Sequence, residues 1–246
     1  MDRFSISKII QYLTCPRSFY HIYILGFQLK KSDNMFFGSS LHEGLAAFYR
    51  GEDPIKKFVH FTKSQTWQKP KDYNDDKYIP DGIKILEAYK KEGTYFDPNP
   101  DWIERKELIK FSNPITGEKI ETPFSFTIDL ITKDKYILDW KTSSSSKGDQ
   151  NETNRIQGIA YQMAFFSIFG ERPKGFIQYT IAKLKTPKFI PRVFHYTEDD
   201  ELYVFNLVKH VLGRVAQRGY LVDKPTIKTF YPCAVSTLCD IHRKKL

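Results

Sequence analysis

The chain has 246 residues, with 41% hydrophobic and 27% charged residues, a composition that gives a packed globular core and excludes a disordered chain. Thirty-eight Lys and Arg against 29 Asp and Glu leave a net charge of +9, which favours a polyanionic partner such as nucleic acid. No apolar run is long enough to cross a bilayer. The opening MDRFSISKII lacks a continuous apolar core, so neither a membrane protein nor a signal peptide is expected, and the expected location is the cytoplasm.

The first ninety residues read as helical. Ser5 is placed to cap a helix carrying Ile6, Ile9, Ile10 and Leu13 at helical spacing. Pro16 ends that helix or starts the next, which runs through Tyr20 and Ile24. A further helix is expected over Ser39–Arg50, with Leu41, Leu45 and Phe48 buried. Two more are expected over Asp53–Trp67 and Ile79–Lys91, separated by the polar stretch Lys69–Lys77. The pattern then changes. Trp102–Phe111 alternates weakly, and Asn113-Pro-Ile-Thr-Gly117 is a turn signal. Phe124–Ile131 alternates cleanly, with Phe124, Phe126, Ile128 and Leu130 on one face and Ser125, Thr127 and Asp129 on the other. Tyr136–Lys141 is a third strand. A polar Ser143–Asn151 loop follows, then a helix over Thr153–Phe169, strands over Phe176–Lys183 and Phe189–Tyr196, and a helix from Asp199 to Gly219. The acidic run Glu198-Asp-Asp-Glu201 suits the start of that last helix, where carboxylates complement the dipole. The expected fold class is α/β: a central mixed β-sheet flanked by helices, in a single domain. A helical N-terminal part (residues 1–95) precedes the core (96–220), and a tail (221–246) carries two cysteines.

The chemistry concentrates in Asp129-Leu-Ile-Thr-Lys-Asp-Lys-Tyr-Ile-Leu-Asp139-Trp-Lys141. A turn centred on Asp134 sets Asp129 opposite Asp139 on antiparallel strands. Facing carboxylates in otherwise apolar strands need a positive charge between them. A divalent cation supplies it, and hard oxygens suit Mg²⁺ or Mn²⁺. Lys141, two residues past Asp139, shares its face and can orient a water or offset phosphate charge. The plainer reading is an exposed hairpin end with weak salt bridges.

These residues fall in an order that resembles the PD-(D/E)XK nuclease superfamily, in its RecB-like branch of AddB nuclease domains and CRISPR-associated RecB-type exonucleases. The matching elements are Cys15-Pro16, Gly38-Ser-Ser-Leu-His42, Glu104, Thr127-Ile-Asp129, Asp139-Trp-Lys141 and Gln157-Gly-Ile-Ala-Tyr161. The resemblance implies a restriction-endonuclease-like core and a metal-dependent DNA nuclease, most readily an exonuclease, in recombination, repair or end processing. His42, Asp129, Asp139 and the backbone carbonyl of Trp140 would hold Mg²⁺ or Mn²⁺. Lys141 would be the catalytic lysine, Glu104 (or Glu107 in its place) would support the metal, and Gln157 and Tyr161 would line the DNA side. A helicase or recombination protein is the partner it suggests, beside DNA itself. The rival is a nuclease-fold module that binds DNA without cutting it.

Two positions depart from the family pattern. Phe126 stands where a Gly is usual, which puts the shape of the groove near Asp129 in question. Iron–sulfur members hold a [4Fe–4S] cluster with four cysteines. Here Cys15, Cys233 and Cys239 match three positions, while the fourth is Phe230, which cannot ligate iron. A cluster completed by another ligand such as His242 stays open, but a lost site whose cysteines pack as small apolar residues is the favoured reading. Finally, Arg172–Arg192 holds six Lys and Arg and no acid. Lys174, Lys183, Lys185, Lys188 and Tyr179 are candidates for tracking DNA phosphates and stacking bases, against the alternative of a lysine-protected sheet edge.

Overall fold

The computed structural model describes residues 3–28, 31–65, 68–146 and 151–221. Cys233, Cys239, Phe230 and His242, and with them most of the iron–sulfur question, lie outside the described residues.

The N-terminal helices are α1 (Ile6–Thr14), α2 (Pro16–Phe19, running on as one π-turn over Tyr20–Ile24), α3 (Asp33–Tyr49), α4 (Pro54–Ser64) and α5 (Asp75–Glu92). Ser5 caps α1 by accepting from the amide of Lys8, and Cys15 Sγ accepts from Ser18 N at the start of α2. α3 begins six residues earlier than its pattern suggested. The cap is Ser32, whose hydroxyl accepts from Met35 N, while Ser39 and Ser40 turn their hydroxyls back onto the carbonyls of Met35 and Phe36 inside the helix. A serine hydroxyl can satisfy either role, so sequence alone could not choose between them.

The strands are β1 (Pro98–Ile109), β2 (Phe124–Thr132), β3 (Tyr136–Ser143), β4 (Gly175–Ala182) and β5 (Lys188–Phe194). The helix α6 (Glu152–Phe169) connects β3 to β4, and α7 (Glu198–Ala216) follows β5. The sheet order among the described residues is β1-β2-β3-β4-β5. The β3–β4 pair is parallel and the others are antiparallel, giving a mixed sheet. A parallel pair needs a crossover, and α6 provides it. The acidic run does start α7, in a capping box between Thr197 and Asp200.

Each face of the sheet has its own core. One side packs Phe126, Ile128, Ile137 and Phe176 under α1, α2, α6 and α7. The other packs Leu130, Leu138, Trp140 and Tyr179 under α3, α4 and α5. The N-terminal helices therefore divide between the two faces. The even-numbered residues of β2 do not stay on one face as the alternation suggested: Ile128 joins the first core and Leu130 the second. Two neighbours, Asp129 and Leu130, thus lie on the α3 side. Opposite them in β1, between the pairs Ile103↔Leu130 and Arg105↔Ile128, Glu104 has φ 50°, the left-handed region that a β-chain residue rarely adopts. The irregularity of both strands falls at two candidate site residues.

Candidate active site

The α3 helix reaches the sheet because Gly38 lacks a side chain. A Cβ there would lie 3.1 Å from Thr142 Oγ1 of β3. One turn later, on the same helix face, His42 is brought over the strands. Its Nε2 lies 3.0 Å from the carbonyl oxygen of Trp140. A carbonyl only accepts, so Nε2 bears the proton and donates, and Nδ1 is the nitrogen turned to the carboxylates. Nδ1 is 3.6 Å from Glu104 Oε1 and 3.5 Å from Asp129 Oδ2.

Asp129 is fixed from the other side by the amide of Trp140, which donates to Oδ2 at 2.8 Å. One residue of β3 thus uses its N–H on Asp129 and its C=O on His42. The β2–β3 register, Leu130↔Leu138 and Ile131↔Ile137, is the one that sets Asp129 level with Asp139. The ladder ends one pair short of them, and the Asp129 carboxylate takes the Trp140 amide.

Asp139 and Lys141 point to the α6 side. Lys141 Nζ donates to Asp139 at 3.1 Å and to Gln157 Oε1 at 3.0 Å. Gln157 donates in turn to the hydroxyl of Tyr161 at 3.3 Å, and that hydroxyl donates to the carbonyl of Thr127 at 3.0 Å. Tyr161 is 7% exposed, so it anchors the chain of hydrogen bonds from within the core and does not line an open surface.

The electrostatics follow from crowding charges in a half-closed space. Burial works against a charged His42, but Asp129, Glu104 and Asp139 outweigh it and raise its pKa to about 9. Burial raises the Asp129 carboxyl far above the usual carboxylate range, against the pull of His42, with Asp139 and Glu104 adding to the rise. Burial also works against a charged Lys141, yet Asp139 more than compensates and its pKa is raised, so it is an ammonium at neutral pH.

His42, Glu104 and Asp129 each place a ligand atom within 4.8 Å of the others. Among the described residues, Glu104 Oε1 is buried with no hydrogen-bond partner within normal range, His42 Nδ1 lying 3.6 Å away. An orphaned carboxylate oxygen beside a second carboxylate and an imidazole nitrogen is a donor set that fits a divalent cation. Asp139, expected among the ligands, is not in that group; its carboxylate is held by Lys141. Of the two glutamates considered in β1, Glu104 is in the cluster, while Glu107 pairs with Arg105 at 2.6 Å. Arg50, which nothing in the sequence singled out, donates to the carbonyl of Ile103 at 2.9 Å and braces the strand just before Glu104. A cleft of about 410 Å³ opens over the site, lined by Lys31, Ser39, His42, Trp140, Lys141 and Thr142.

A family model, the PD-(D/E)XK nuclease superfamily, matches residues 3–240. The chain belongs to that superfamily. A solved structure from Eubacterium rectale, described as a "putative exonuclease", superposes with a TM-score of 0.63 at 14% identity, over 94% of this chain and 86% of that one. At that identity the likeness concerns the fold. A second structure, SSO0001, has a TM-score of 0.40 at 14% identity over 96% of this chain and 95% of that one. No curated protein matches the chain by sequence.

Phe126, at the position where Gly was expected, is buried against Phe111 and Tyr161, so its ring fills the core and does not narrow the cleft. Tyr179 is corrected: it is fully buried against Tyr89 and Phe96, its hydroxyl accepts from Thr94 N, and no base can reach its ring. Lys174 precedes the end of β4 remote from Lys141 and lies 3.7 Å from Asp134, which removes it from the site. Lys188 is exposed at the other end of the sheet, opposite Ala182. Lys183 and Lys185 line a separate cavity beside the cleft. No helix among the described residues is long and apolar enough to cross a membrane.

Proposed function

We propose that the chain is a metal-dependent deoxyribonuclease of the RecB-like branch, acting as an exonuclease that hydrolyses phosphodiester bonds. The single observation that supports this best is the adjacency of two devices. A His42–Glu104–Asp129 cluster has an unsatisfied carboxylate oxygen, and a charged Lys141 is clamped between Asp139 and Gln157.

Mg²⁺ or Mn²⁺ held by His42, Glu104 and Asp129, with Asp139 beside them, would supply Lewis acidity toward the phosphate and a more acidic water. The protein's own residues do the rest. Lys141, as an ammonium, has no lone pair to act as a base. Asp139 and Gln157 take two of its three N–H groups, and the third donates to a phosphate oxygen, offsetting negative charge as the water oxygen bonds to phosphorus and the bond to the neighbouring sugar oxygen breaks. Gln157 fixes the direction of that ammonium, and Tyr161 fixes Gln157. Trp140 holds Asp129 and His42 by its own N–H and C=O, so the carboxylate and the ring keep their aim without side-chain rearrangement.

By analogy with the branch, the setting we propose is DNA recombination, repair or end processing in the cytoplasm, beside a helicase or recombination protein. The test is incubation of purified protein with end-labelled linear and with circular DNA, single- and double-stranded, in Mg²⁺, Mn²⁺ or EDTA, beside Asp139→Ala. Metal-dependent loss of linear DNA alone, absent in the variant, is expected. Cutting of circles keeps the chemistry and makes the protein an endonuclease. Binding without cutting in every metal makes it a DNA-binding module.

A further inference from the structure

Asn34, two turns before His42 on α3, lines the active-site cleft and also a second cavity of about 380 Å³ between α3, α5 and the β4–β5 turn. Among the described residues, four lysines surround that cavity, Lys77 and Lys84 from α5 and Lys183 and Lys185 from the turn, and its one carboxylate is Asp81. Four positive charges against one negative leave a net +3 around a small space. Among the described residues, none of the four lysines makes an ion pair within 4.0 Å. Like charges gathered around a single counter-charge repel one another and favour an anion.

The ammonium groups are steadied by neutral acceptors. Lys183 Nζ donates to Asn34 Oδ1 at 2.8 Å and lies 5.1 Å from the centre of the Phe37 ring, and burial lowers its pKa. Lys84 Nζ donates to the carbonyl of Lys185 at 2.6 Å. An ammonium has three donors, so both retain N–H groups for a ligand. Among the described residues the cavity has no arginine, the residue whose planar fork matches a carboxylate; lysines act as point charges, which suits a phosphate.

Continuity with the cleft decides which phosphate. Asn34, Gly38 and His42 follow one face of α3 at intervals of four residues, and eight residues of helix span about 12 Å. Lys31, donating to Ser39 Oγ at 2.7 Å, lies along the way. At about 3.4 Å per nucleotide of a stacked strand, 12 Å is about three to four nucleotides.

We propose that the Lys77, Lys84, Lys183 and Lys185 cavity binds a backbone phosphate of the substrate DNA strand, about three to four nucleotides from the bond being cut. The strand then lies along α3, held at the cutting site and again at this cavity. This rests on the nuclease reading above.

The test is fluorescence anisotropy in EDTA, where no cutting occurs, with labelled single-stranded DNA of three and of eight nucleotides across a salt series. Lys183→Ala/Lys185→Ala is expected to weaken the eight-mer by about tenfold and to lower the slope of log affinity against log salt by about 1, while the trimer is affected less than twofold. Lys183→Arg/Lys185→Arg is expected to restore the slope. Unchanged affinity and slope for the eight-mer, or equal losses on trimer and eight-mer, overturns the proposal. So does a lysine-dependent preference for an RNA eight-mer or for an oligoglutamate competitor. A parallel cleavage assay of the wild type in Mn²⁺ separates the two claims. Cutting with unaltered lysine variants sinks the cavity alone, whereas neither cutting nor binding sinks the nuclease reading.

Discussion

Lys141 and Gln157 are joined by a 3.0 Å hydrogen bond between the end of β3 and the second turn of α6. The strand brings the lysine's charge to the cleft, while the helix decides where that charge points. Because Gln157 is itself tied to Tyr161, and Tyr161 to the backbone of β2 at Thr127, three elements converge on one ammonium.

On the proposed nuclease reading Gln157 is a positioning residue, and its loss should be felt in turnover more than in binding. Gln157→Leu is expected to lower kcat by about 10- to 100-fold with KM changed less than threefold, and Lys141→Ala to remove activity. Gln157→Glu, which keeps an acceptor for the ammonium, should recover part of kcat. Steady-state kinetics on a labelled oligonucleotide checks all three; a Gln157→Leu effect confined to KM would assign the residue to substrate binding.

Metal affinity should rise with pH. A cation needs Nδ1 of His42 and the Asp129 carboxylate without their protons, and in the metal-free protein both pKa values are raised, that of His42 to about 9. Calorimetry with Mn²⁺ between pH 6 and 9 should show tightening affinity and proton release, with the release shrinking above pH 9. The stability of the metal-free protein runs the opposite way, falling as pH rises. Against an ordinary value of 6.5, the raised His42 contributes stability that is present below pH 6.5 and lost as pH climbs through about 9. The raised Asp129, whose ordinary value is 3.8, also favours the protonated folded state and costs stability as it ionises. The rise in Tm on adding Mn²⁺ should accordingly be larger at pH 8.5 than at pH 6.5.

Glu104 is held in a left-handed backbone conformation with φ 50°, beside the like charge of Asp129. Non-glycine residues so placed cost of the order of 1–3 kcal/mol. Glu104→Gly should leave the metal-free protein as stable or more stable, by up to about 1 kcal/mol in urea denaturation, while weakening Mn²⁺ binding at least tenfold. A clear loss of stability would show that the strain is illusory.

Gly38 sets the approach of α3 to β3. A side chain there meets Thr142 Oγ1, and crowding of this kind costs about 1–3 kcal/mol. Gly38→Val is expected to lower stability by that amount and to weaken Mn²⁺ binding, because His42 sits one turn further along the same helix. Adding Thr142→Ala should return part of both, which thermal denaturation and calorimetry on the double variant will show.

Much of this site was legible in the chain itself. The levelling of Asp129 with Asp139 across the β2–β3 hairpin follows from turn length, although the alternation that accompanied it breaks between Ile128 and Leu130. The Asn113–Gly117 turn formed as its residues dictate, with Gly117 N donating to the carbonyl of Asn113 at 3.0 Å. The spacing from Gly38 to His42, and from Gln157 to Tyr161, fixed which side chains share a helix face. Lys31, Lys77 and Lys84 gave no signal, because lysines on polar helix faces look alike whether or not a partner lies across space.

The sequence by itself determined the order of helices and strands, the pairing of Asp129 with Asp139 in register, and the residue types available for metal and phosphate. Those properties depend on local periodicity and short-range turns. Only the tertiary structure decided that Glu104 completes the cluster with His42 and Asp129, that Asp139 turns to Lys141, and that Tyr179 is core and not surface. The first depends on the left-handed backbone at Glu104, and the others on helices packed against opposite faces of the sheet. Such relations join residues up to about a hundred positions apart, and they are settled by how the two cores fill, which no local pattern encodes.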